Sequence, residues 1–244
     1  MKISHECPLD LLEKSKQFND YEYSLLHLMH IPEYKEFYKA QAKKRYQILD
    51  NSAFEYQFID GGFNIDYFID IINEIQPSSI IIPDIISNCE ATIDEFRDFP
   101  FEYLHYTPEI IGVVQGKTED ELLKCAKFMH ERADKLAIVF HSPAYQIDLN
   151  KNKDENNCIG RYNIVKKIKK ITNKPLHLLG CSLPKEFSLY EKGIIDTIDT
   201  ANPIQFGALS IKYNDISSIN NKPNYLMSEE NIITQKWISY CYSN

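Results

Sequence analysis

Polar side chains repeatedly follow apolar runs in this sequence, and three of these side chains are aspartates. Asp50 follows "YQIL", Asp84 follows "SSIIIP", and Asp199 lies within "IIDTIDTANP". A carboxylate can stabilise an oxocarbenium-like carbon and then capture it covalently. A carboxylate also offers two acceptor oxygens, which match a pair of donors at the edge of a heterocyclic base. The three aspartates are therefore candidates for covalent catalysis, proton transfer and base recognition.

Other apolar runs deliver polar or small residues at equivalent places. Gln115 and Gly116 follow "GVV", His141 and Ser142 follow "AIVF", and Gly180 follows "HLL". If the runs are parallel strands of one sheet, these residues all lie at its carboxyl edge, where α/β enzymes bind substrate.

Several of these candidates have a plainer interpretation. Asp and Asn after a strand often form turns by bonding their own backbone, which could explain both Asp50 and Asp84. His141 could serve only to satisfy a loop. One such aspartate would be a turn, but three of them with a glutamine and glycines at equivalent strand ends indicate a pocket.

The elements that must position these residues alternate along the chain. Short β-rich runs include "YQIL", "SSIIIPD", "EIIGVVQG", "KLAIVF", "PLHLLG" and "IIDTID", and helix-like segments such as "LPKEFSLYEKG" lie between them. Seven or eight such units in 244 residues predict a single-domain α/β chain folded as a (β/α)8 TIM-type barrel. The polar stretch 148–160 is expected to be a long loop, either a lid or a disordered tip.

Charge and cysteine content narrow the classes of function. The net charge is −8 and the pI is near 5.4, whereas a protein that grips a long nucleic acid usually carries a basic face. The basic run 165–170 is expected to be a solvated helix face. Six widely separated cysteines without a C-x-x-C pair indicate reduced thiols in a cytoplasmic protein. We expect no signal peptide, no membrane partner and no cofactor.

Taken in order, these stretches resemble motifs of the tRNA-guanine transglycosylase family, which includes archaeosine-type and phage DNA-modifying members. "ILDNSAF" resembles the family's strand that ends in an aspartate before a small-residue turn and an aromatic residue. "IIPDI" resembles its guanine-contacting motif, and "GVVQG" is similar to "GIVQG". "HLLGCSLPKEF" is similar to "YLMGVGTPEDL", and "IDTIDTANP" resembles the segment with the nucleophilic aspartate. The resemblance spans residues 46–203 and rests on five weak motifs in the same order.

The resemblance implies that guanine in a polynucleotide is exchanged for a 7-deazaguanine through a covalent enzyme–sugar intermediate. It implies that Asp199 is the nucleophile on the anomeric carbon of the sugar. It implies further that Asp50 is the acid/base that manages the proton on the nitrogen of the incoming deazaguanine.

Substrate recognition is implied for a second set of residues. Asp84 would accept hydrogen bonds from the N1–H and the exocyclic amine of guanine, and Gln115 would hold its carbonyl edge. Phe54 and Leu179 would enclose the ring, since stacking on an aromatic side chain contributes about 1–3 kcal/mol. The other substrate-binding candidates are Gly116, Gly180, His141 and Ser142. Phosphate contacts are expected at Lys117, Arg161 and Lys185.

The chain also departs from the family pattern. Members that act on tRNA usually bind structural zinc through C-x-C-x-x-C and a later His, but after Asp199 this chain has only Cys241 and no His. We therefore predict no metal and no zinc subdomain. The glycine pair that the family places after its fifth strand is replaced by Phe140, His141 and Ser142. With the acidic charge, these departures favour guanine in DNA or a free guanosine nucleotide over tRNA.

Four alternatives stay open. The chain could be a tRNA-guanine transglycosylase, an N-glycosidase that hydrolyses the base, a non-catalytic binding subunit of the same fold, or an unrelated barrel hydrolase with a carboxylate-bound metal. The presence of both Asp50 and Asp199 argues against the binding subunit, because a scaffold needs neither. The sequence leaves the oligomeric state open between a monomer and a homodimer.

Overall fold

Eight parallel strands form a nearly closed barrel in the computed structural model, which describes residues 1–146, 153–181 and 183–204, without the side chains of 184 and 185. Neighbouring strands pair in the order β1-β8-β7-β6-β5-β4-β3-β2, and every pairing is parallel. The predicted (β/α)8 barrel is therefore confirmed. The strands are Lys2–His5 (β1), Glu22–Leu25 (β2), Gln47–Asp50 (β3), Ser79–Ile81 (β4), Glu109–Val114 (β5), Lys135–Ile138 (β6), Leu176–Leu178 (β7) and Thr197–Thr200 (β8).

Helices cover the outside of the barrel and start at local capping signals. The Thr118 side chain accepts the N–H of Glu121, whose carboxylate accepts the N–H of Thr118, and this capping box begins α5. The side chains of Asn64 and Asn88 likewise accept backbone N–H groups at the starts of the helices Ile65–Ile75 (α3) and Cys89–Asp98 (α4). None of the helices within the described ranges is long and apolar enough to cross a membrane. The helices are Leu12–Ser15 (α1), Pro32–Ala42 (α2), Ile65–Ile75 (α3), Cys89–Asp98 (α4), Glu119–Arg132 (α5) and Lys153–Ile168 (α6).

The barrel closes between β1 and β2 through the segment that precedes β2. The N–H of Asp20 bonds the carbonyl of Ile3 at 2.9 Å, and the carboxylate of Asp20 accepts the N–H of Ile3 at 2.9 Å. The Asn19 side chain accepts the N–H of His5 at 2.8 Å. Side-chain acceptors therefore satisfy strand donors that a directly paired neighbour would otherwise bond.

A polar cluster occupies the amino-terminal end of the barrel. Lys135 is only 2% exposed, and its ammonium lies 3.0 Å from the Tyr46 hydroxyl and 3.0 Å from Asp196. The hydroxyls of Tyr46 and Ser79 both bond the carboxylate of Glu109. Because barrel enzymes keep their chemistry at the opposite end, we assign this cluster to stability.

Three predictions about the elements need correction. The sequence pattern assigns no strand before Tyr46, yet β1 and β2 lie there, because polar residues interrupt the apolar pattern in "KISH" and "EYSL". Helix α6 begins at Lys153, inside the stretch 148–160 that is predicted to be a loop, whereas residues 147–152 lie outside the described ranges. The expected helix "LPKEFSLYEKG" is a 3-10 turn over Pro184–Ser188, where Glu186 points inward to a buried arginine.

Candidate active site

Asp50 is the last residue of β3, and it is both a turn residue and a side chain held at the barrel mouth. Its Oδ1 accepts the N–H of Ser52 at 2.5 Å, which is the turn expected of an aspartate after a strand. Its Oδ2 accepts a hydrogen bond from the hydroxyl of Tyr23 on β2. Ser52 has a φ of 58°, so the chain leaves the strand sharply. The turn and the tyrosine together fix a carboxyl group that is 9% exposed.

The surroundings of Asp50 favour its protonated form. Burial is the main cause, and the nearby Glu55 carboxylate adds to it, so the pKa of Asp50 rises to about 8. The hydrogen bonds from Tyr23 and Ser52 favour the charged form and limit this rise in pKa. A carboxyl group that keeps its proton near neutral pH can act first as a general acid and then as a base.

Asp84 is held by two side-chain amides from the neighbouring strands. Nδ2 of Asn51 donates to Oδ1 at 2.9 Å, and Nε2 of Gln115 donates to Oδ2 at 2.7 Å. Asn51 also donates to the carbonyl of Ile82 at 2.9 Å, while Oε1 of Gln115 accepts the N–H of Ser87 at 2.8 Å. These bonds orient both amides, so the plane of the Asp84 carboxylate is fixed. The structure thus brings together the two residues that were expected to recognise guanine.

Asp199 lies in β8, is 3% exposed and is bonded from β7 and the turn after it. The N–H of Gly180 lies 3.1 Å from each carboxylate oxygen, and Nε2 of His177 lies 3.1 Å from Oδ1. Gly180 has a φ of 66°, a conformation that glycine adopts without steric cost. Burial lowers the pKa of His177 to about 3, so its imidazole is neutral and Nε2 carries the hydrogen that Asp199 accepts.

Sequence reasoning missed the residues that hold these carboxyl groups. Tyr23, His177 and Asn51 bond Asp50, Asp199 and Asp84 respectively. The polar His177 inside the apolar run "LHL" of β7 is a signal that could have revealed it, whereas "EYSL" in β2 carries no such signal for Tyr23. Asn51 directly follows an aspartate, where the pattern indicates only a turn residue.

Arg161 is fully buried on α6, which argues against the phosphate contact expected at this residue. Its Nε and Nη2 donate to the two carboxylate oxygens of buried Glu186 at 2.7 and 2.8 Å. Its Nη1 and Nη2 donate to the carbonyls of Leu179 and Gly180, both at 2.8 Å. The guanidinium also lies 4.8 Å from the ring centroid of Phe140. Arg161 therefore holds the turn in which the N–H of Gly180 bonds Asp199.

Gly116, Ser142 and His141 join neighbouring elements at the mouth. Oγ of Ser142 donates to the carbonyl of Gly116 at 2.8 Å, which links the ends of β5 and β6. A Cβ on Gly116 would lie 2.8 Å from Cβ of Glu121, so glycine is needed for the close approach of α5. Nδ1 of His141 lies 2.7 Å from Nδ2 of Asn157 on α6. Of these three residues, only His141 is exposed.

The remaining candidates border the mouth with different exposure. Phe54 lies on the loop after β3, is 46% exposed and packs edge-on against Phe58 with 5.5 Å between ring centroids. Leu179 follows β7 and is partly buried. Lys117 is exposed and directly follows Gly116, and the side chain of Lys185 falls outside what the structure describes.

Metal ligands are not grouped in the parts of the chain that the structure describes. No three His, Cys, Asp or Glu side chains there are placed to hold an ion. Cys241, the only cysteine after Asp199, lies outside those parts. The absence of zinc stays a prediction.

Comparison with known proteins does not identify a family for this chain. No model of a known protein family matches the chain. A search of curated proteins likewise finds none that matches. The function is therefore argued from the residues at the mouth.

Proposed function

We propose that this chain is a glycosyltransferase that exchanges guanine for a 7-deazaguanine, on deoxyguanosine in DNA or on a free guanosine nucleotide. The observation that carries the proposal is that the mouth holds three aspartates in three different environments. Asp50 is buried beside another carboxylate, Asp84 lies between two amides, and Asp199 is bonded by N–H donors. These environments suit proton transfer, base recognition and nucleophilic attack respectively.

In the first step, a carboxylate oxygen of Asp199 attacks C1′ of the sugar, and the C1′–N9 bond to guanine breaks. The electron pair of that bond goes to the base, and the proton of Asp50 neutralises it. The carbon passes through an oxocarbenium-like state that the Asp199 carboxylate stabilises. This step leaves a covalent Asp199–sugar ester and a charged Asp50.

In the second step, the 7-deazaguanine replaces the departed guanine. Charged Asp50 takes the proton from the attacking ring nitrogen, which then bonds C1′ and displaces the Asp199 carboxylate. Both carboxyl groups return to their starting states. The exchange therefore balances: one base leaves the sugar, another replaces it, and Asp50 regains from the second base the proton that it gave to the first.

Asp84 supports the choice of guanine as the base. The N1–H and the exocyclic amine form a donor pair, and a carboxylate of fixed plane can accept both. Each Asp84 oxygen accepts one amide bond and retains a second lone pair for the base. Phe54 offers an aromatic ring for stacking on the same mouth.

An incorporation assay tests the proposal directly. The protein is incubated with labelled guanine and, side by side, with DNA, tRNA and a deoxyguanosine nucleotide. We expect label in the DNA or in the nucleotide, because only base exchange forms a new glycosidic bond to free guanine. Asp70→Asn, a substitution at an exposed position, is the matched control for aspartate variants of the mouth.

Each other outcome of this assay identifies an alternative. Release of guanine without incorporation would mean hydrolysis by an N-glycosidase. Label confined to tRNA would mean a tRNA transglycosylase. If neither incorporation nor release occurred with any of the three substrates, the proposal would be overturned in favour of a non-catalytic role.

A further inference from the structure

Two aromatic rings connect Asp50 and Asp199 through the interior of the barrel. The hydroxyl of Tyr23 donates to Asp50, and Nε2 of His177 lies 3.1 Å from Asp199. The rings of Tyr23 and His177 stack, with 5.7 Å between their centroids and 19° between their planes. The two carboxyl groups on β3 and β8 are thus joined by one continuous series of contacts from β2 to β7.

We propose that Tyr23 and His177 are positioning residues, which hold Asp50 and Asp199 in place through their hydrogen bonds and support each other by stacking. The inference rests on the proposed function in one respect, since it takes these two carboxyl groups as the reacting ones. Neither ring contacts the substrate in this scheme. Each acts through the carboxyl group that it bonds.

The chemistry of each ring makes it a constant hydrogen-bond donor. Burial and the neighbouring carboxylates raise the pKa of Tyr23 far above its ordinary value, so its hydroxyl keeps its hydrogen. His177 is neutral, and Nδ1 lies 3.0 Å from the hydroxyl of Thr197, which can donate to it. The ring hydrogen then sits on Nε2, where Asp199 accepts it.

Charged groups from several elements face this series of contacts. Asp50 is influenced by Glu55 on its own loop, by Tyr23 on β2 and by Asp199 on β8. Tyr23 is influenced by Asp199, Asp50 and Glu6. His177 contacts Thr197 and Asp199, and the more distant groups that act on it are Lys135, Arg161, Asp196 and Glu109. A change at either ring should therefore act first on the carboxyl group that the ring bonds.

Titration of the Asp50 carboxyl group in the protein without substrate tests the role proposed for Tyr23. The aspartates are labelled with ¹³C at the carboxyl carbon, and the Asp50 resonance is assigned with Asp50→Asn. Tyr23→Phe keeps the ring and removes only the hydroxyl that favours charged Asp50. We expect the pKa of Asp50 to rise by about one unit, a roughly tenfold change in its ionisation constant. Tyr106→Phe, which removes a hydroxyl bonded to the carbonyl of Pro77, should leave it unchanged.

Two substitutions of His177 separate hydrogen bonding from packing. His177→Gln can place an amide N–H near the position of Nε2, whereas His177→Phe preserves the stacked ring and loses the donor. We expect kcat for exchange to fall about tenfold or more in His177→Phe, with KM within about twofold, and to recover in part in His177→Gln. The Asp199 carboxyl resonance should be displaced in the same order. A purely structural role predicts the reverse order, because phenylalanine fills the ring volume better.

The results separate this inference from the proposed function. If wild-type protein shows no exchange but Asp50 still shifts in Tyr23→Phe and Asp199 in His177→Phe, the positioning roles stand and the function fails. If exchange occurs while Asp50 titrates as in wild type in Tyr23→Phe, the positioning role of Tyr23 is overturned. A higher kcat together with a smaller displacement of the Asp199 resonance in His177→Phe than in His177→Gln would overturn the inference as well.

Discussion

Asp50 and Asp199 are both buried aspartates at strand ends, yet their hydrogen bonds prepare them for different chemistry. Asp199 accepts N–H donors from Gly180 and His177, and such donors stabilise the negative charge of a nucleophilic carboxylate. Asp50 lies near Glu55, whose charge opposes its ionisation. The bonding of each residue therefore supports the roles that the family resemblance implies.

Replacement of the candidate nucleophile tests the role proposed for Asp199. We expect Asp199→Asn and Asp199→Ala to abolish base exchange, because neither side chain can form the ester with the sugar. A covalent adduct with substrate that survives a denaturing gel should form only when Asp199 is present. Circular dichroism should show an intact fold in both variants. Exchange within tenfold of wild type in either one would exclude Asp199 as the nucleophile.

Burial of Asp50 makes the stability of the protein depend on pH. The pKa is about 8 in the folded chain and about 3.9 in an unfolded one, so the folded chain holds the extra proton between these values. The stabilising contribution is fully present below about pH 4 and is lost as pH rises through 8. Asp50→Asn resembles the protonated form at every pH. We expect its Tm at pH 9 to exceed that of wild type by at least about 3 °C.

The same series of melts contains its control. The difference in Tm between Asp50→Asn and wild type should shrink as pH falls toward 4.5, because both side chains are then neutral in the folded state. Asp70→Asn, at an exposed position, should show no such trend. A pH-independent difference in Tm would contradict the raised pKa of Asp50.

At the scale of elements, one turn after β7 determines the geometry around Asp199. That turn carries Gly180, and the Arg161 guanidinium on α6 holds its carbonyls while Glu186 balances the buried charge. Both side chains of this ion pair are completely buried. Helix α6 and the Pro184–Ser188 turn are thus coupled to the position of the candidate nucleophile.

Removal of one partner from this ion pair should destabilise the fold. Arg161→Met leaves Glu186 buried without its cation, which costs about 3–5 kcal/mol, so we expect a fall in Tm of about 10 °C. Arg161→Met combined with Glu186→Leu should recover most of the Tm. Exchange should stay impaired in the double variant, because the carbonyls of the turn still lack their donor.

Exposed Arg97 provides the control for this prediction. It pairs with Asp94 at the surface, where both side chains are more than half exposed, so Arg97→Met should change stability by no more than about 0.5 kcal/mol. If exchange in the double variant returned to the wild-type rate, the hydrogen bonds from Arg161 to the turn would have no role in positioning Asp199. A Tm for Arg161→Met equal to that of Arg97→Met would contradict the buried pair.

At the scale of the whole molecule, charge limits the size of the substrate that the chain can hold. The sequence has 27 basic and 35 acidic residues, so an extended polyanion meets a net charge of −8. With Arg161 buried, Lys117 and Lys185 remain as phosphate candidates. Recognition of one guanosine nucleotide with one or two phosphates, free or within DNA, fits this distribution.

The salt dependence of binding tests this limit on size. Each phosphate contact contributes a slope of about −0.7 to −0.9, so two contacts imply a slope of about −1.4 to −1.8. We expect affinity for a guanosine nucleotide or a short DNA to fall no more than about tenfold between 50 and 200 mM salt. Lys117→Ala should reduce the slope by about one if this lysine is a contact. A slope steeper than about −4 would indicate an extended polynucleotide footprint.

The barrel and the strand ends that carry the aspartates could be predicted from local patterns in the sequence. Alternating β-rich and helical segments predicted the barrel, because periodicity and capping are local properties of the chain. The capping box at Thr118 and the polar residues after β3, β4 and β5 could be placed for the same reason. Strands β1 and β2 were not predicted, because polar residues interrupt the apolar pattern in "KISH" and "EYSL".

The side chains that hold the aspartates could be identified only from the folded chain. Tyr23 and Asp50 are 27 residues apart, His177 and Asp199 are 22 apart, and Arg161 and Glu186 are 25 apart. Such pairs depend on the register of neighbouring strands and on how a helix packs over a turn, and local sequence carries no record of either. Arg161 shows the consequence: its position after a polar stretch predicted a surface phosphate contact, but the packing of α6 buried it against Glu186.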